Sequence, residues 1–302
     1  MIQLRPRAAS LALAPTLATR RPYTVLAVSA RAALLVPVGP APRPGSDLWA
    51  EGAEFRTAGP QFDGGSDLWA VGAEFRTAGP QFDGGSDLWA VGTEFRTAGP
   101  QFAPGMVVVE GVLGARLPNA VLIGDDERGR LRPGGRACLG GPPGRWWDPR
   151  PVLGALRPER VAQARRRCPP LGTGPGEAEL GTRAAQGDPA ALVGLGPGST
   201  PAGDDLLAAS LATLRVLGRH AEADRIRAAV DGRRTTALAA ALYGHADRGE
   251  VAAPVGALLR ALAGHGAVAP AVTAVLALGH TSGAWILRGV LAAVAPPVAV
   301  GA

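Results

Sequence analysis

The stretch 192-LVGLGPGSTPAGDDLLAASLATLRVLG-218 decides how the rest of the chain is read. A short apolar run enters a loop containing Gly194, Gly196, Gly198 and Gly203, and the adjacent carboxylates Asp204 and Asp205 open an apolar-periodic helix. Glycine gives up more conformational freedom on folding than any other residue, so four of them beside one helix start point to a backbone with a specific task. Thr200 before Pro201 fits an N-cap followed by proline in the first helical position. Such a helix end, approached through glycine, exposes free amides and suits phosphate or carboxylate. No Lys follows GLGPG, which excludes a Walker A loop, and the glycine spacing is not that of a dinucleotide fold. The two carboxylates repel a bound anion; they either complement the helix dipole, bind a metal ion, or orient an amide or ammonium group.

Beyond this helix the chain reads as helical to its end. Apolar periodicity predicts segments near 201–217, 221–230, 236–245, 254–263, 270–278 and 284–294, separated by glycine or charged turns. Leu207, Leu211 and Leu214 form a stripe facing a helical core. Two more turns concentrate polar groups. In RRTTALAAALYGHA, Arg233, Arg234, Thr235 and Thr236 place guanidinium and hydroxyl groups at a helix start, which suits a carboxylate or phosphate, or is a plain threonine cap with solvated arginines. In LGHTSGAWILRG, His280, Thr281 and Ser282 lie between glycines at a helix–helix turn; a Ser/His nucleophile needs an orienting group that the stretch lacks, so capping or ligand hydrogen bonding is the better reading. His220, His245 and His265 have no zinc-protease spacing, and no motif names a metal or a cofactor.

Upstream, β-branched or apolar runs bounded by Gly and Pro predict strands at 106–113, 119–124 and 136–140, with DDERG as a turn between the last two. GPPGRWWDPRP reads as a loop carrying Trp146, Trp147 and Asp148, a helix follows over 158–167, and PPLGTGPGE reads as a linker. Residues 1–44 contain β-like runs at 23–29 and 32–38 and are either a strand pair or a poorly ordered leader. Arg5 and Arg7 ahead of a weakly apolar stretch resemble a signal peptide superficially, but Pro15 interrupts it. Residues 45–104 are three copies of a 20-residue unit, GSDLWAxGxEFRTAGPQFxx, nearly identical in sequence. Solenoid repeats drift while keeping core positions, so near-identity points to recent tandem duplication; the other reading makes Trp49, Trp69 and Trp89 a row of binding positions. Within a unit, DLWAVG and EFRTAG suggest two short extended segments.

Composition sets the outer limits. With 302 residues and 47% hydrophobic content the chain buries a real core, and at 5% aromatic it builds that core from Ala, Leu and Val. All basic side chains are Arg. Residues 1–44 hold six Arg and no acid, residues 45–104 sum to −6, and residues 105–302 to +6. Without an accompanying motif, this arginine-only balance reads as coding bias and argues against nucleic-acid binding. Two cysteines are too few for a disulfide framework, so a reducing cytoplasm is expected. No run approaches the roughly 20 apolar residues of a membrane helix.

The blocks GLGPGSTPAGDDLLA, TTALAAALYGHADRGE and LGHTSGAWILRG, in this order, resemble the signature of the AllH-like family, named for a subunit of the bacterial oxamate carbamoyltransferase complex of allantoin degradation. The resemblance covers roughly residues 105–295. It implies transfer of a carbamoyl group between a nitrogen such as that of oxamate and phosphate, a small anionic substrate, and partner subunits. Ser199 and Trp285 depart from the blocks, where the family has an aliphatic and an acidic residue; the second departure also fits a non-catalytic anion-binding or scaffolding subunit.

The expected fold class is α+β, a β-rich N-terminal part packed against a mainly helical C-terminal part. Residues 105–190 and 191–302 form one domain, with the repeats at 45–104 as a separate unit. The expected site joins Asp204, Asp205 and His280, as catalytic groups, with Gly196, Gly198, Thr200, Gly203, Arg234, Thr235, Thr236, Thr281 and Ser282 as substrate-binding groups.

Overall fold

A computed structural model describes residues 1–19, 21–28, 32–38, 106–111, 115–171, 175–185 and 187–295, together with the backbone of short strands at 68–70, 73–77 and 93–97. In chain order the elements are β1 (Ile2–Leu4), β2 (Ala8–Ser10), α1 (Ala14–Ala18), β3 (Arg21–Val28), β4 (Ala32–Pro37), β5 (Leu68–Ala70), β6 (Ala73–Thr77), β7 (Thr93–Thr97), β8 (Val107–Glu110), β9 (Ala120–Leu122), α2 (Asp125–Arg128), β10 (Arg136–Leu139) and β11 (Arg145–Trp147). The helices α3 (Pro158–Arg165), α4 (Pro175–Ala185), α5 (Ala202–Val216), α6 (His220–Ala229), α7 (Ala237–Ala246), α8 (Ala253–Leu262), α9 (Val268–Leu276) and α10 (Ser282–Ala293) follow. The chain is α+β, with a mixed sheet in its first half and helices in its second.

Eight strands form one mixed sheet in the order β1-β10-β3-β4-β8-β9-β2-β11. β1 lies at one end and β2 next to the other, yet only Arg5, Pro6 and Arg7 separate them in the chain. Three residues span little more than about 10 Å, so the sheet curls until its two ends approach. The alternation of side chains then separates two apolar faces. Leu4, Tyr23, Val25, Leu35, Val109, Val121 and Leu139 fill the concave interior. Leu34, Val36, Met106 and Val108 point outward onto Ala237, Leu238 and Ala241 of α7. A register shift between Val25 and Ala27 leaves Leu26 and Ala27 together on the outer face, where both join the α7 contact.

Residues 2–37 thus supply four of the eight strands. β4 and β8 are antiparallel neighbours, Leu35 facing Val107, so the two ends of the repeat-bearing connection lie side by side. In the second copy of the repeat, β5 and β6 pair as a hairpin, and β7 of the third copy adds to β6. The first copy and the side chains Trp49, Trp69 and Trp89 lie outside the described residues.

Three local readings change. DDERG is not a plain turn but a single helical turn, α2, because Glu127 folds back to accept from Gly124 N at 3.2 Å and from Arg5 N at 3.0 Å. GPPGRWWDPRP contains the end strand β11, paired with β2. The PPLGTGPGE linker contains the start of α4, with Pro175 as its first residue, a place where proline's missing N–H costs nothing. No helix among the described residues is long and apolar enough to cross a membrane.

The helical part surrounds α5. Leu207, Leu211 and Leu214 are buried as a stripe, and Gly289 of α10 lies directly against the α5 backbone: a Cβ there would stand 2.2 Å from Leu206 O. The Ser210 hydroxyl donates to Gly289 O at 3.0 Å, fixing that crossing.

Candidate functional site

The glycine loop is folded by close backbone approach. Gly194, Gly196 and Gly198 have φ of 72°, 108° and 101°, the left-handed region that a Cβ disfavours. At Gly194 a Cβ would also sit 1.9 Å from Arg234 O, so the loop runs directly beneath the turn that precedes α7. α5 begins one residue later than the sequence suggests. Pro201, with ψ of 144°, is the N-cap, and the first helical bond is Asp205 N to Pro201 O. Thr200 is therefore too far upstream to cap α5. Its hydroxyl instead donates to Asp205 Oδ2 at 3.4 Å and bonds Ser282 Oγ at 3.3 Å.

The two aspartates have different surroundings. Asp204 is 1% exposed and accepts from Gly194 N at 3.1 and 3.2 Å, from Tyr243 Oη at 2.9 Å, and from the Thr235 hydroxyl. Burial pushes its carboxyl up to about 6, against the pull of Thr235, Gly194, Tyr243 and the more distant Arg234. Asp205 is 6% exposed and, among the described residues, its carboxyl is met by the hydroxyls of Ser282 and Thr200. Burial pushes it up to about 8; the hydroxyls lower it and the charge of Asp204 raises it further.

The other two motifs reach the same place from different directions. Thr236 caps α7, accepting from Ala239 N at 3.1 Å, while its hydroxyl donates to Ser199 O. Thr235 and Tyr243, from before and within α7, close on Asp204. Ser282 brings in the first turn of α10. Thr200, Asp204, Asp205, Thr235, Thr236 and Ser282 are thus joined in one cluster. Arg234, His280 and Thr281 are exposed outside it, with Gly196 exposed and Gly198 half-buried along the loop. Two backbone amides expected to face an anion are already engaged: Gly194 N by Asp204 and Gly203 N by Leu195 O at 2.9 Å. Gly203 is buried because a Cβ would stand 2.0 Å from Leu192 O.

Tyr243 is the member that sequence reading passes over. It is the only hydroxyl-bearing side chain within α7, and such a polar handle in a buried helix implies a buried partner. A separate cluster closes the other end of that helix: His245 Nδ1 lies 2.7 Å from Glu250 Oε2, and Arg248 donates to Glu250 at 2.9 Å. Burial holds His245 below the usual imidazole range, with Glu250 opposing.

Trp285, which stands where an acid was expected, is 2% exposed in the helical core, with Arg288 stacked 4.7 Å over its ring. The position contributes packing rather than charge. Ser199 is 2% exposed, and its carbonyl, not its side chain, makes the contact with Thr236. Among the described residues no group of three His, Cys, Asp or Glu is placed to hold a metal ion.

Residues 192–294 match the family model described as oxamate carbamoyltransferase subunit AllH. No curated protein and no solved structure matches the chain. The matched region runs from the short turn before the glycine loop to the end of α10 and contains every residue of the cluster, so the helical part of this chain is similar to the AllH family.

Proposed function

We propose that the chain acts as a subunit of a carbamoyltransferase of the oxamate type and contributes a ligand site at the junction of the glycine loop, the Thr235–Thr236 turn and the first turn of α10. One observation carries this reading: motifs separated by up to about 80 residues are drawn together by Thr235–Asp204, Thr236–Ser199 and Thr200–Ser282 hydrogen bonds. A fold that needed only a helix cap would not require all three.

The division of labour follows from which groups remain free to act. Asp204 has its oxygens occupied and serves to hold the loop, so orientation of a substrate amide nitrogen falls to Asp205 with Thr200 and Ser282. Arg234, exposed beside the loop, is suited to phosphate or carboxylate. In the transfer, a phosphate oxygen bonds to the carbamoyl carbon as its C–N bond breaks and the departing nitrogen takes a proton; the reverse forms the C–N bond and releases phosphate. Partner subunits complete the enzyme. The engaged amides of Gly194 and Gly203 favour a second reading, a non-catalytic scaffolding subunit.

Purified chain, alone and with candidate partner subunits, is assayed for carbamoyl phosphate formed from oxalurate (carbamoyl-oxamate) and phosphate. The proposal expects turnover with partners present and its loss in Asp205→Asn. Absence of turnover in both conditions, with binding of phosphate or oxamate retained, refutes catalysis and leaves the scaffold.

A further inference from the structure

Asp204 and Asp205 are adjacent, buried and hydrogen-bonded to no cationic side chain among the described residues. The groups facing Asp205 can be taken element by element. α5 offers Asp204; the loop offers Thr200; α7 and its preceding turn offer Tyr243, engaged with Asp204, and the exposed Arg234; α10 offers Ser282. His280 is exposed ahead of α10, and Arg288 is turned away to the carbonyls of Pro169 and Pro170. Two like charges in one desolvated site, with only the exposed Arg234 at a distance to oppose them among the described residues, do not both persist.

The partners decide which carboxyl takes the proton. Gly194 N–H can only donate and reaches both oxygens of Asp204, a fixed donor that favours the ionised carboxylate there. Asp205 is met by hydroxyls, and a hydroxyl can rotate to accept as readily as to donate. We propose that Asp205 holds a proton in the folded chain at neutral pH, and that Thr200, Asp205 and Ser282 form a proton-controlled joint between the first turns of α5 and α10.

With the proton present, the carboxyl O–H and the two hydroxyls form a closed neutral set joining three segments. When the proton leaves, the buried charge is compensated only by hydroxyl dipoles, and the junction loosens to admit water. The loosening stops at Gly289, where α10 touches the α5 backbone and Ser210 holds the Gly289 carbonyl. It is thus confined to residues 282–288, and any ligand seated on Ser282 feels the protonation state of Asp205. This inference concerns the free chain and holds whether or not the carbamoyl-transfer reading does.

The test is a carbon-13 titration of aspartate carboxyls in the full chain, with hydrogen exchange across 282–288 corrected for intrinsic rates. The expectation is one aspartate titrating near pH 8, moved by Thr200→Ala and absent in Asp205→Asn, and local opening about tenfold greater at pH 9 than at pH 7. Absence of any aspartate titrating above about pH 7 overturns the protonation, and equal corrected protection at pH 7 and 9 overturns the joint. The unsubstituted chain gives both readouts even if Asp205→Asn does not fold.

Discussion

Tyr243→Phe isolates one hydroxyl. The ring is fully buried on α7, and its Oη donates to Asp204 Oδ1 at 2.9 Å. Phenylalanine keeps the ring and its packing, so almost no cavity is created and the change reduces to one donor removed from a buried carboxylate. A hydrogen bond to a charged acceptor contributes roughly 1.5–3 kcal/mol. The pH dependence has a definite sign. Burial already raises the Asp204 carboxyl to about 6 in the folded chain, above its unfolded value of 3.8, so its ionisation costs stability progressively as pH rises between those values. Removing a donor raises the folded value further. The deficit of the variant is therefore largest above about pH 7 and shrinks on acidification, where neutral Asp204 has less need of donors. Urea unfolding at pH 5 and pH 8, with unchanged denaturant slope, measures both quantities. A loss below about 0.5 kcal/mol at pH 8, near the resolution of such comparisons, or a loss that grows on acidification, would refute the assignment of Tyr243 as a donor to ionised Asp204.

Three further outcomes are expected. Gly289→Ala forces α10 off α5, because its Cβ would meet Leu206 O at 2.2 Å; a loss of about 2–3 kcal/mol in chemical denaturation is expected, and a neutral result would mean that the helices do not cross there. Glu110, raised to about 7 by burial despite the amides of Arg116 and Leu117, makes wild-type stability fall as pH climbs from about 4.5 to 7; Glu110→Gln flattens that slope, read from unfolding midpoints at pH 5 and 8. Deleting residues 65–104 shortens a connection whose ends already meet at the β4–β8 pair. Loop-closure entropy then favours the shorter chain by somewhat under 1 kcal/mol, so the melting temperature holds or rises slightly, whereas failure to fold would make the repeats integral to the sheet.

Local patterns made much of the fold legible. The apolar stripe Leu207, Leu211 and Leu214, the threonine cap at Thr236 and the β-like apolar run at 32–38 each report on neighbours a few residues away, and each corresponds to an observed element. Boundaries moved where a local rule met a tertiary contact. The capping preference of Thr200 was overridden by Asp205 and Ser282, and the polar DDERG was drawn into a helical turn by an acceptor serving both Gly124 and Arg5.

By itself the sequence determined the α+β division, the helix periodicity and the identity of the three polar turns, because period, glycine placement and capping chemistry are short-range properties of the chain. Only the tertiary structure decided that Asp204 is enclosed by Gly194, Thr235 and Tyr243 while Asp205 faces hydroxyls, that Trp285 is core, and that Arg234 and His280 remain outside. Two neighbouring aspartates look identical along the chain. Successive residues of a helix point about 100° apart, and what each then meets is set by α7 and α10, which the chain supplies some 30 to 80 residues later.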